Sequence, residues 1–322
     1  MRHWVRTIWN TRGLARWILL AGLVLVVAFV VMAVLAPWIA PYDFNQTRVD
    51  GDKLPKLAHP SGEHWLGTND QFFDIWSRVV WGARTALEVI VLSVLFSILI
   101  GVPLGLVSGF IGGWADRALV FVMDSLYALP SLLLAIVFSF LLRDALGGGI
   151  VAAALSLTCI YIPQYFRVVR NTTVSVKQSV YVEAARAIGA PPTTIMRKYL
   201  FGNVVQSVPV IGTLNAADAL STLAALGFLG FGIQPTEASE WGYDLSRALD
   251  DAQAGTWWPA LFPGLAIILL ITGLTLVGEG LNETLNPSLR RRRLVPVRMP
   301  AMGPSDHYGA LPTPGRGPGG RP

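Results

Sequence analysis

The segment VEAARAIGAPPTTIMRKYLFGN, residues 182–203, lies between two long apolar runs and decides how the chain folds. Ser179 suits the N-cap of a short helix, and Gly189 suits the left-handed residue that follows a helix end. Pro191 and Pro192 fit the first turn of a new helix but not the interior of the old one. The segment therefore predicts two short helices that meet at a corner.

The surfaces of these two helices favour contact with a partner outside the membrane. In the first helix, Ala184 and Ala185 leave a flat surface, and Glu183 and Arg186 can pair along its edge because they lie three residues apart. The second helix, predicted over residues 193–201, has an apolar side made by Ile195, Met196, Tyr199 and Leu200. Spacing alone also permits an amphipathic helix that rests on the membrane surface.

The composition predicts a membrane protein. Of the 322 residues, 53% are hydrophobic and only 14% are charged, whereas soluble domains carry about 25% charged residues. The 25 Lys and Arg exceed the 20 Asp and Glu, and the basic residues gather at the termini and around residues 182–203. We interpret that distribution as membrane topology rather than as nucleic-acid binding.

The chain has few residues suited to catalysis. Its single cysteine, Cys159, lies in an apolar run, which excludes an intrachain disulfide. None of the four histidines lies in an apolar run, and neither a His-Glu-x-x-His pair nor a Gly-x-x-x-x-Gly-Lys phosphate loop occurs. We therefore expect no catalytic residue, no metal site and no cofactor bound by this chain.

Six apolar runs approach or exceed the length that crosses the hydrocarbon core, which takes about 20 residues in a helix. The runs are 18–36, 89–114, 118–142, 150–166, 204–233 and 257–278. The first follows Arg12 and Arg16 and carries no cleavage signal, so we interpret it as an uncleaved span. The sequence thus predicts an all-α membrane protein with six transmembrane helices.

The basic residues orient these spans. Sorting them by predicted side puts 18 Lys and Arg on the side of the two termini and 7 on the opposite side. Because basic residues concentrate in cytoplasmic loops, both termini are predicted to be cytoplasmic. The predicted parts are a cytoplasmic segment 1–16, a first transmembrane helix 17–40, an external segment 41–82, a five-helix core 83–289 with a coupling loop 170–203, and a disordered cytoplasmic tail 290–322. Arg290 to Arg293 are expected to contact anionic lipid headgroups.

Acidic residues inside spans are costly and mark functional sites or polar pairs. Asp218 lies near the middle of the fifth run, with Asn215 about one turn earlier, and both are candidates for the wall of a translocation pathway. A polar contact with a neighbouring subunit is an equal alternative. Asp124, in the third run, is a further pathway candidate, although a structural pair near Arg117 is favoured there. The acidic segment 234–257 is interpreted as a re-entrant or external loop with solvated charges.

The residues EAARAIGA (183–190), followed by Asn203, resemble the EAA loop of ABC-importer permease subunits. Further stretches resemble the permeases for dipeptides, oligopeptides and nickel, and among these the C-type subunit. They are LGTNDQFFDIWSRVVWGARTAL (66–87), GVPLGLVSGFIGGWADR (101–117), LGFLGFGIQP (226–235), EWGYDL (240–245), WWPALFPGLAI (257–267) and GEGLNETLNPSLR (278–290). The resemblance covers residues 15–290.

This resemblance implies a type I ABC-importer permease fold with EAA coupling helices. It implies a channel formed with a second, related permease, one or two cytoplasmic subunits that bind ATP and Mg, and an extracytoplasmic binding protein. It also implies the bacterial cytoplasmic membrane as the location and peptides as the substrate, with nickel chelates and haem as alternatives. An ion-coupled secondary transporter is a more distant alternative, since such transporters favour several midplane charges.

The resemblance assigns contact with the ATPase to the coupling loop. The residues that match the family pattern directly are Glu183, Ala184, Ala185 and Gly189. The rest of the predicted coupling set is Arg186, Ile195, Tyr199 and Asn203. Tyr199 stands where the family often has His, and Gly202 stands where it usually has Pro. These departures concern the exit of the second helix.

Overall fold

The computed structural model describes residues 14–285, with side chains over residues 16–283. Within that part helices are the dominant regular structure and the strands form one two-stranded hairpin, which confirms the predicted all-α membrane fold. Residues 1–13 of the predicted segment 1–16, the arginines Arg290 to Arg293 and the tail 290–322 lie outside the described residues.

The helices and strands follow one another along the chain with short connections, except between α2 and α3 and between α10 and α11. In chain order they are α1 (Leu14–Val34), α2 (Ala36–Ile39), β1 (Arg48–Val49), β2 (Asp52–Lys53), α3 (Ile75–Ile111), α4 (Gly113–Tyr127), α5 (Ser131–Leu146), α6 (Gly149–Lys177), α7 (Val180–Ala187), α8 (Pro192–Thr194), a π-helical segment (Ile195–Leu200), α9 (Phe201–Val204), a 3-10 turn (Val205–Ser207), α10 (Val208–Phe228), α11 (Trp241–Gln253) and α12 (Trp258–Leu285).

Five helical stretches of the described part are long and apolar enough to cross a membrane. They are Arg16–Val34, Ile75–Ile111, Gly149–Lys177, Pro192–Phe228 and Trp258–Glu283. A sixth span is obtained if α4 and α5 are counted as one broken span. The described residues therefore agree with the six predicted spans.

The third predicted span, residues 118–142, is not one straight helix. Helices α4 and α5 meet at an angle of 98° across the break at residues 128–130. Pro130 explains the break, because proline has no amide hydrogen to donate and disfavours helical conformation in the residue before it. Pro130 instead takes the N-cap position of α5, with ψ of 125°.

Helices α3 and α6 pack closely along one face. Gly101, Gly105 and Gly109 recur every fourth residue and so line one face of α3. A Cβ atom at Gly105 would stand 2.6 Å from the carbonyl oxygen of Phe166, and one at Gly109 would stand 2.8 Å from that of Arg170. Small residues at this spacing let two helix backbones approach closely inside a membrane.

At the end of the bundle where α3 begins, residues 41–74 pack against the helix. Asp74 is the N-cap of α3, since its Oδ2 accepts from the Ser77 amide at 2.9 Å and from the Ser77 hydroxyl at 2.8 Å. The other oxygen, Oδ1, lies 3.0 Å from Nδ1 of His64. Helix α3 therefore begins at Ile75, and the predicted helical core does not start at residue 83. We call this end the α11 end, because α11 packs beside it.

The acidic segment 234–257 is not a solvated loop, which corrects the sequence interpretation. Most of it forms α11, whose N-cap Glu240 accepts from the amides of Gly242 at 2.8 Å and Tyr243 at 2.7 Å. Glu240 and Asp244 are buried, and Glu237 forms an ion pair with Arg143 at 3.0 Å. The burial of these acidic side chains is tolerated because each of them accepts hydrogen bonds inside the protein.

The coupling loop lies at the opposite end, which we call the loop end. Helix α6 continues to Lys177, so it extends well into the predicted loop 170–203. The second helix of the loop was predicted to end at residue 201, before Gly202, but it does not end there. From Pro192 the chain stays helical through the π-helical and 3-10 segments into α10, and Pro192–Phe228 forms one helical stretch. Glycine at 202 has no Cβ, but it keeps its amide donor and so does not interrupt the helix.

Candidate functional site

Helix α7 is attached to the end of α6 by backbone hydrogen bonds. Ser179 occupies the predicted N-cap position, but its hydroxyl donates to the carbonyl of Val176 at 2.6 Å rather than capping α7. The carbonyl of Ser179 accepts from the amides of Val182 at 3.0 Å and Glu183 at 3.1 Å. Only two residues separate α6 from α7, so the end of α6 fixes the position of α7.

Gly189 ends α7 in the left-handed conformation that the sequence predicted, with φ of +81°. Its amide donates to the carbonyl of Arg186 at 2.9 Å, and the amide of Ala190 donates to the carbonyl of Ala185 at 3.0 Å. These bonds satisfy carbonyls at the end of the helix. Apart from the adjoining residues, no atom lies within 4 Å of the place where a Cβ would stand. Glycine is therefore needed here for its backbone conformation and not for space.

Helix α7 has one buried side and one wide exposed side. Val182 and Ala185 are buried, so Ala185 supports the helix rather than forming part of its outer surface. Val180 and Ile188, near its two ends, are 81% and 82% exposed. The predicted coupling residues on the exposed side are Glu183, Ala184 and Arg186. Within the described residues neither Glu183 nor Arg186 forms an ion pair, so both charges face outward.

The second half of the loop is fastened to α7 by the remaining predicted residues. Ile195 is buried, as is Leu200 in the same π-helical segment. The Asn203 amide nitrogen donates to the carbonyl of Tyr199 at 2.8 Å and to the hydroxyl of Tyr181 at 3.2 Å. The rings of Tyr181 and Tyr199 stack with centroids 6.4 Å apart. The two predicted helices therefore form one connected unit around the corner at Gly189.

The three predicted pathway residues lie in two different places. Asp218 accepts a hydrogen bond from the hydroxyl of Tyr161 at 2.8 Å, between α10 and α6. Asn215 is buried one turn earlier, and its amide nitrogen has no partner. Asp124 instead lies towards the loop end, where it pairs with Arg167 at 2.8 Å. The structure thus gives Asp124 a basic neighbour on α6 rather than Arg117.

A buried ion pair between α3 and α11 was not predicted from the sequence. Arg78 on α3 donates from Nε and Nη2 to the carboxylate of Asp244 on α11, at distances of 2.6–3.1 Å. Both side chains are almost fully buried. Local patterns carry no signal for this pair, because its members lie 166 positions apart.

These features suit binding and mechanical coupling rather than catalysis. Within residues 16–283 no group of three His, Cys, Asp or Glu side chains is placed to hold a metal ion. An exposed helix, α7, is attached to α6 at one side and to the stretch Pro192–Phe228 at the other. Those two helices also carry Tyr161 and Asp218. The arrangement defines a helical membrane protein in which an exposed helix joins two of the candidate spans.

Comparison with known families agrees with that class. Residues 101–291 match the family described as the binding-protein-dependent transport system inner membrane component. Residues 14–60 match the N-terminal transmembrane domain of oligopeptide transport permease C. The chain belongs to the family of binding-protein-dependent permeases of ABC importers, and its N-terminal region has the permease C form.

Individual relatives are similar over most of their length. The glutathione transport system permease protein GsiD of Pectobacterium atrosepticum is 34% identical over 309 residues, which cover 90% of this chain and 100% of that protein. The dipeptide transport system permease protein DppC of Alkalihalophilus pseudofirmus is 33% identical over 84% of this chain and 86% of that protein. Among solved structures, the inward-facing MetNI methionine ABC transporter matches with a TM-score of 0.52 and 21% identity, over 65% of this chain and 94% of that chain. This structural match confirms the fold.

Proposed function

We propose that this chain is a permease subunit of an ATP-driven importer of peptides in the bacterial cytoplasmic membrane. Its relatives include permeases named for glutathione and for dipeptides, and the matches span nearly the full length of both. In this proposal the chain forms the channel with a second, related permease. An extracytoplasmic binding protein delivers the peptide, and one or two cytoplasmic subunits bind and hydrolyse ATP with Mg.

The observation that carries this proposal is the connection from α7 to the helices beside Asp218. The chain has no phosphate loop, so energy must enter through a contact with another protein. Helix α7 presents an apolar and charged surface, and its buried side packs on the bundle. Because α7 is attached to both α6 and the α10 stretch, a displacement of α7 moves both helices. Tyr161 and Asp218 lie on those helices.

The proposed sites follow from this geometry. We propose that Glu183, Ala184 and Arg186, on the exposed side of α7, contact the ATPase. The remaining residues of the coupling set support that surface from behind: Ala185, Gly189, Ile195, Tyr199 and Asn203. Asp218 and Asn215 are proposed to lie beside the translocation pathway. Asp124, paired with Arg167, is proposed to act at its cytoplasmic end. The excess of basic residues on the loop side supports a cytoplasmic position for α7.

A pair of glycine variants tests the coupling part of the proposal. Gly189→Ala forces an L-residue into the left-handed region at a cost of about 1–2 kcal/mol, and so shifts α7. Gly202→Ala is the matched control, because Gly202 is helical, exposed and free of nearby atoms. We expect the Gly189 variant to lose co-purification with the ATPase subunit and ATP-dependent peptide uptake, and the Gly202 variant to keep both.

A charge reversal supplies an independent test. Glu183→Arg changes an exposed side chain without an ion-pair partner among the described residues, so the fold of the chain should survive. We expect weaker association with the ATPase subunit. Full association in both the Glu183 and the Gly189 variants would show that α7 is not the docking helix. Peptide uptake that needs no ATPase subunit would favour an ion-coupled transporter instead.

A further inference from the structure

Asp218 stands on a single exposed stripe of α10. The exposed residues along this stripe are Leu214, Asp218, Ser221 and Phe228, and their spacing of four, three and seven places them on one helical face. The intervening residues 215–217, 219 and 220 are buried. An ionised carboxylate in contact with acyl chains is costly, so this face is suited to a water-filled cavity or another protein surface.

The carboxylate of Asp218 is held in place from behind. Tyr161 is fully buried, so packing fixes its ring, and its hydroxyl donates to Oδ2 of Asp218 at 2.8 Å. The other oxygen, Oδ1, accepts no hydrogen bond from the described residues. The side chain is therefore oriented by one neutral donor and presents its remaining acceptor positions outward.

The charge of Asp218 has no counterion inside the described part of the chain. Three acidic residues of that part that lie at helix contacts do have a basic partner: Asp116 pairs with Arg170, Asp244 with Arg78 and Glu237 with Arg143. No Lys, Arg or His of residues 16–283 forms an ion pair with Asp218. The carboxylate of Asp218 is therefore open to a cation from outside the described residues.

Polar atoms continue from this site along the contact between α6 and α10. The amide nitrogen of Asn215 and the hydroxyl of Tyr165 are both buried there, and Asn215 is a polar neighbour of the Tyr165 hydroxyl. The Tyr165 hydroxyl lies 3.6 Å from the Cβ position of Gly212. Together with Tyr161 and Asp218 these groups make the contact between α6 and α10 polar.

The donor set selects among cations. A divalent metal ion takes several oxygen, nitrogen or sulfur ligands, and no group of three His, Cys, Asp or Glu side chains is available within residues 16–283. A primary ammonium group carries three donors and is satisfied by one carboxylate together with water or a neighbouring hydroxyl. Ser221 supplies such a hydroxyl on the same stripe.

We propose that Asp218, positioned by Tyr161, binds the protonated amino terminus of a peptide as it passes through the channel. This inference rests on the proposed function as a peptide permease. It assigns to this chain a selectivity of its own, after the binding protein has released the substrate. Asp218 is the contact residue, and Tyr161 is a positioning residue because it acts through the carboxylate.

The test uses the complete complex in proteoliposomes, with saturating binding protein, and measures the maximal uptake rates of trialanine and N-acetyl-trialanine. Asp218→Asn keeps the size of the side chain and removes the charge. We expect the trialanine rate to fall roughly tenfold or more, as loss of a charge-assisted hydrogen bond implies. The N-acetyl-trialanine rate should not change, because that peptide has no ammonium group.

Three further variants separate recognition from damage. Asp218→Glu should restore much of the trialanine rate. Ser221→Ala, which removes the neighbouring hydroxyl, should lower the trialanine rate less than Asp218→Asn does and should leave the N-acetyl-trialanine rate unchanged. Tyr161→Phe should lower the preference for trialanine over the acetylated peptide less than Asp218→Asn does. Binding-protein-stimulated ATP hydrolysis is measured in parallel and should stay intact in every variant.

The outcomes are distinguishable from a failure of the proposed function. If the unchanged complex takes up no peptide in the presence of ATP, the proposed function and this inference both fail. If it takes up peptide and Asp218→Asn lowers both peptides by the same factor, or neither, only the assignment of Asp218 is wrong. A rate for trialanine that falls in the Asn variant and returns in the Glu variant supports the assignment.

Discussion

Separating the buried pair of Arg78 and Asp244 should destabilise the α11 end more than any other single polar change there. The side chains are only 2% and 5% exposed, and three donor–acceptor contacts join them. Arg78 also donates from Nη1 to the carbonyl of Phe44 at 2.9 Å, so it fastens the segment before α3 as well. Removing either partner leaves a buried charge without its counterion.

The expected magnitude follows from that burial. Breaking a buried ion pair by removing one partner costs about 3–5 kcal/mol, whereas replacing both partners by apolar residues is often close to neutral. We therefore expect Arg78→Met and Asp244→Leu to lose about 3–5 kcal/mol each. The double variant should lose less free energy of unfolding than either single variant. Its remaining loss should be about 1 kcal/mol, which comes from the missing hydrogen bond to the Phe44 carbonyl.

A double-mutant cycle measured by SDS-induced unfolding in mixed micelles tests this expectation. Glu88→Gln is the control on the same helix, because the pair of Arg84 and Glu88 is 45% and 41% exposed and should contribute less than about 1 kcal/mol. Protease cleavage within residues 41–74 should rise in the single variants and not in the control. Single losses that simply add in the double variant would refute the reasoning, since they would show no coupling between the two charges.

Two further predictions concern Glu240. A Cβ at Gly227 would collide with the Glu240 carboxylate and stand 2.9 Å from the Tyr243 amide, so Gly227→Ala should lower the unfolding midpoint in the same assay. Gly212→Ala, with its nearest neighbour at 3.6 Å, is the matched control, and equal midpoints would contradict the packing described here. Burial raises the pKa of Glu240 from 4.5 to about 8, so the folded state binds a proton that the unfolded state releases between these values. The free energy of unfolding should therefore fall as the pH rises from about 4.5 to about 8 and level off above that, and Glu240→Gln should lose this slope; an unchanged slope in the variant would disprove the role of Glu240.

Local features of the chain could be predicted because their causes are local. Gly189 closes α7 in the left-handed conformation. The sequence indicates this directly, because a glycine stands there between two segments that favour helix. The buried pattern of Ile195 and Leu200 likewise follows from helical spacing. Apolar length located the spans, because each must cross the same hydrocarbon thickness.

Other features depended on contacts that no local pattern reveals. The partner of Arg78 lies 166 positions away, so the acids of residues 234–257 resembled an ordinary solvated loop. The break at Pro130 could not be distinguished from a modest kink, because neighbouring helices often satisfy the carbonyls that a proline frees inside a membrane. The continuation of helix through Gly202 was missed because glycine often ends helices but does not have to.

Two sets of charged side chains in the described part differ in their surroundings. Arg78 and Asp244 are buried at the α11 end and pair with each other, so they fix α3 to α11. Glu183 in α7 and Asp218 in α10 are exposed and have no basic partner among the described residues. Water alone satisfies most exposed charges, but Asp218 lies within an apolar helical stretch long enough to cross a membrane. We propose contacts outside the chain for both residues: the ATPase subunit for Glu183 and the peptide for Asp218. The two outward charges lie on one connected helical path, which is the arrangement that coupling of ATP hydrolysis to transport requires.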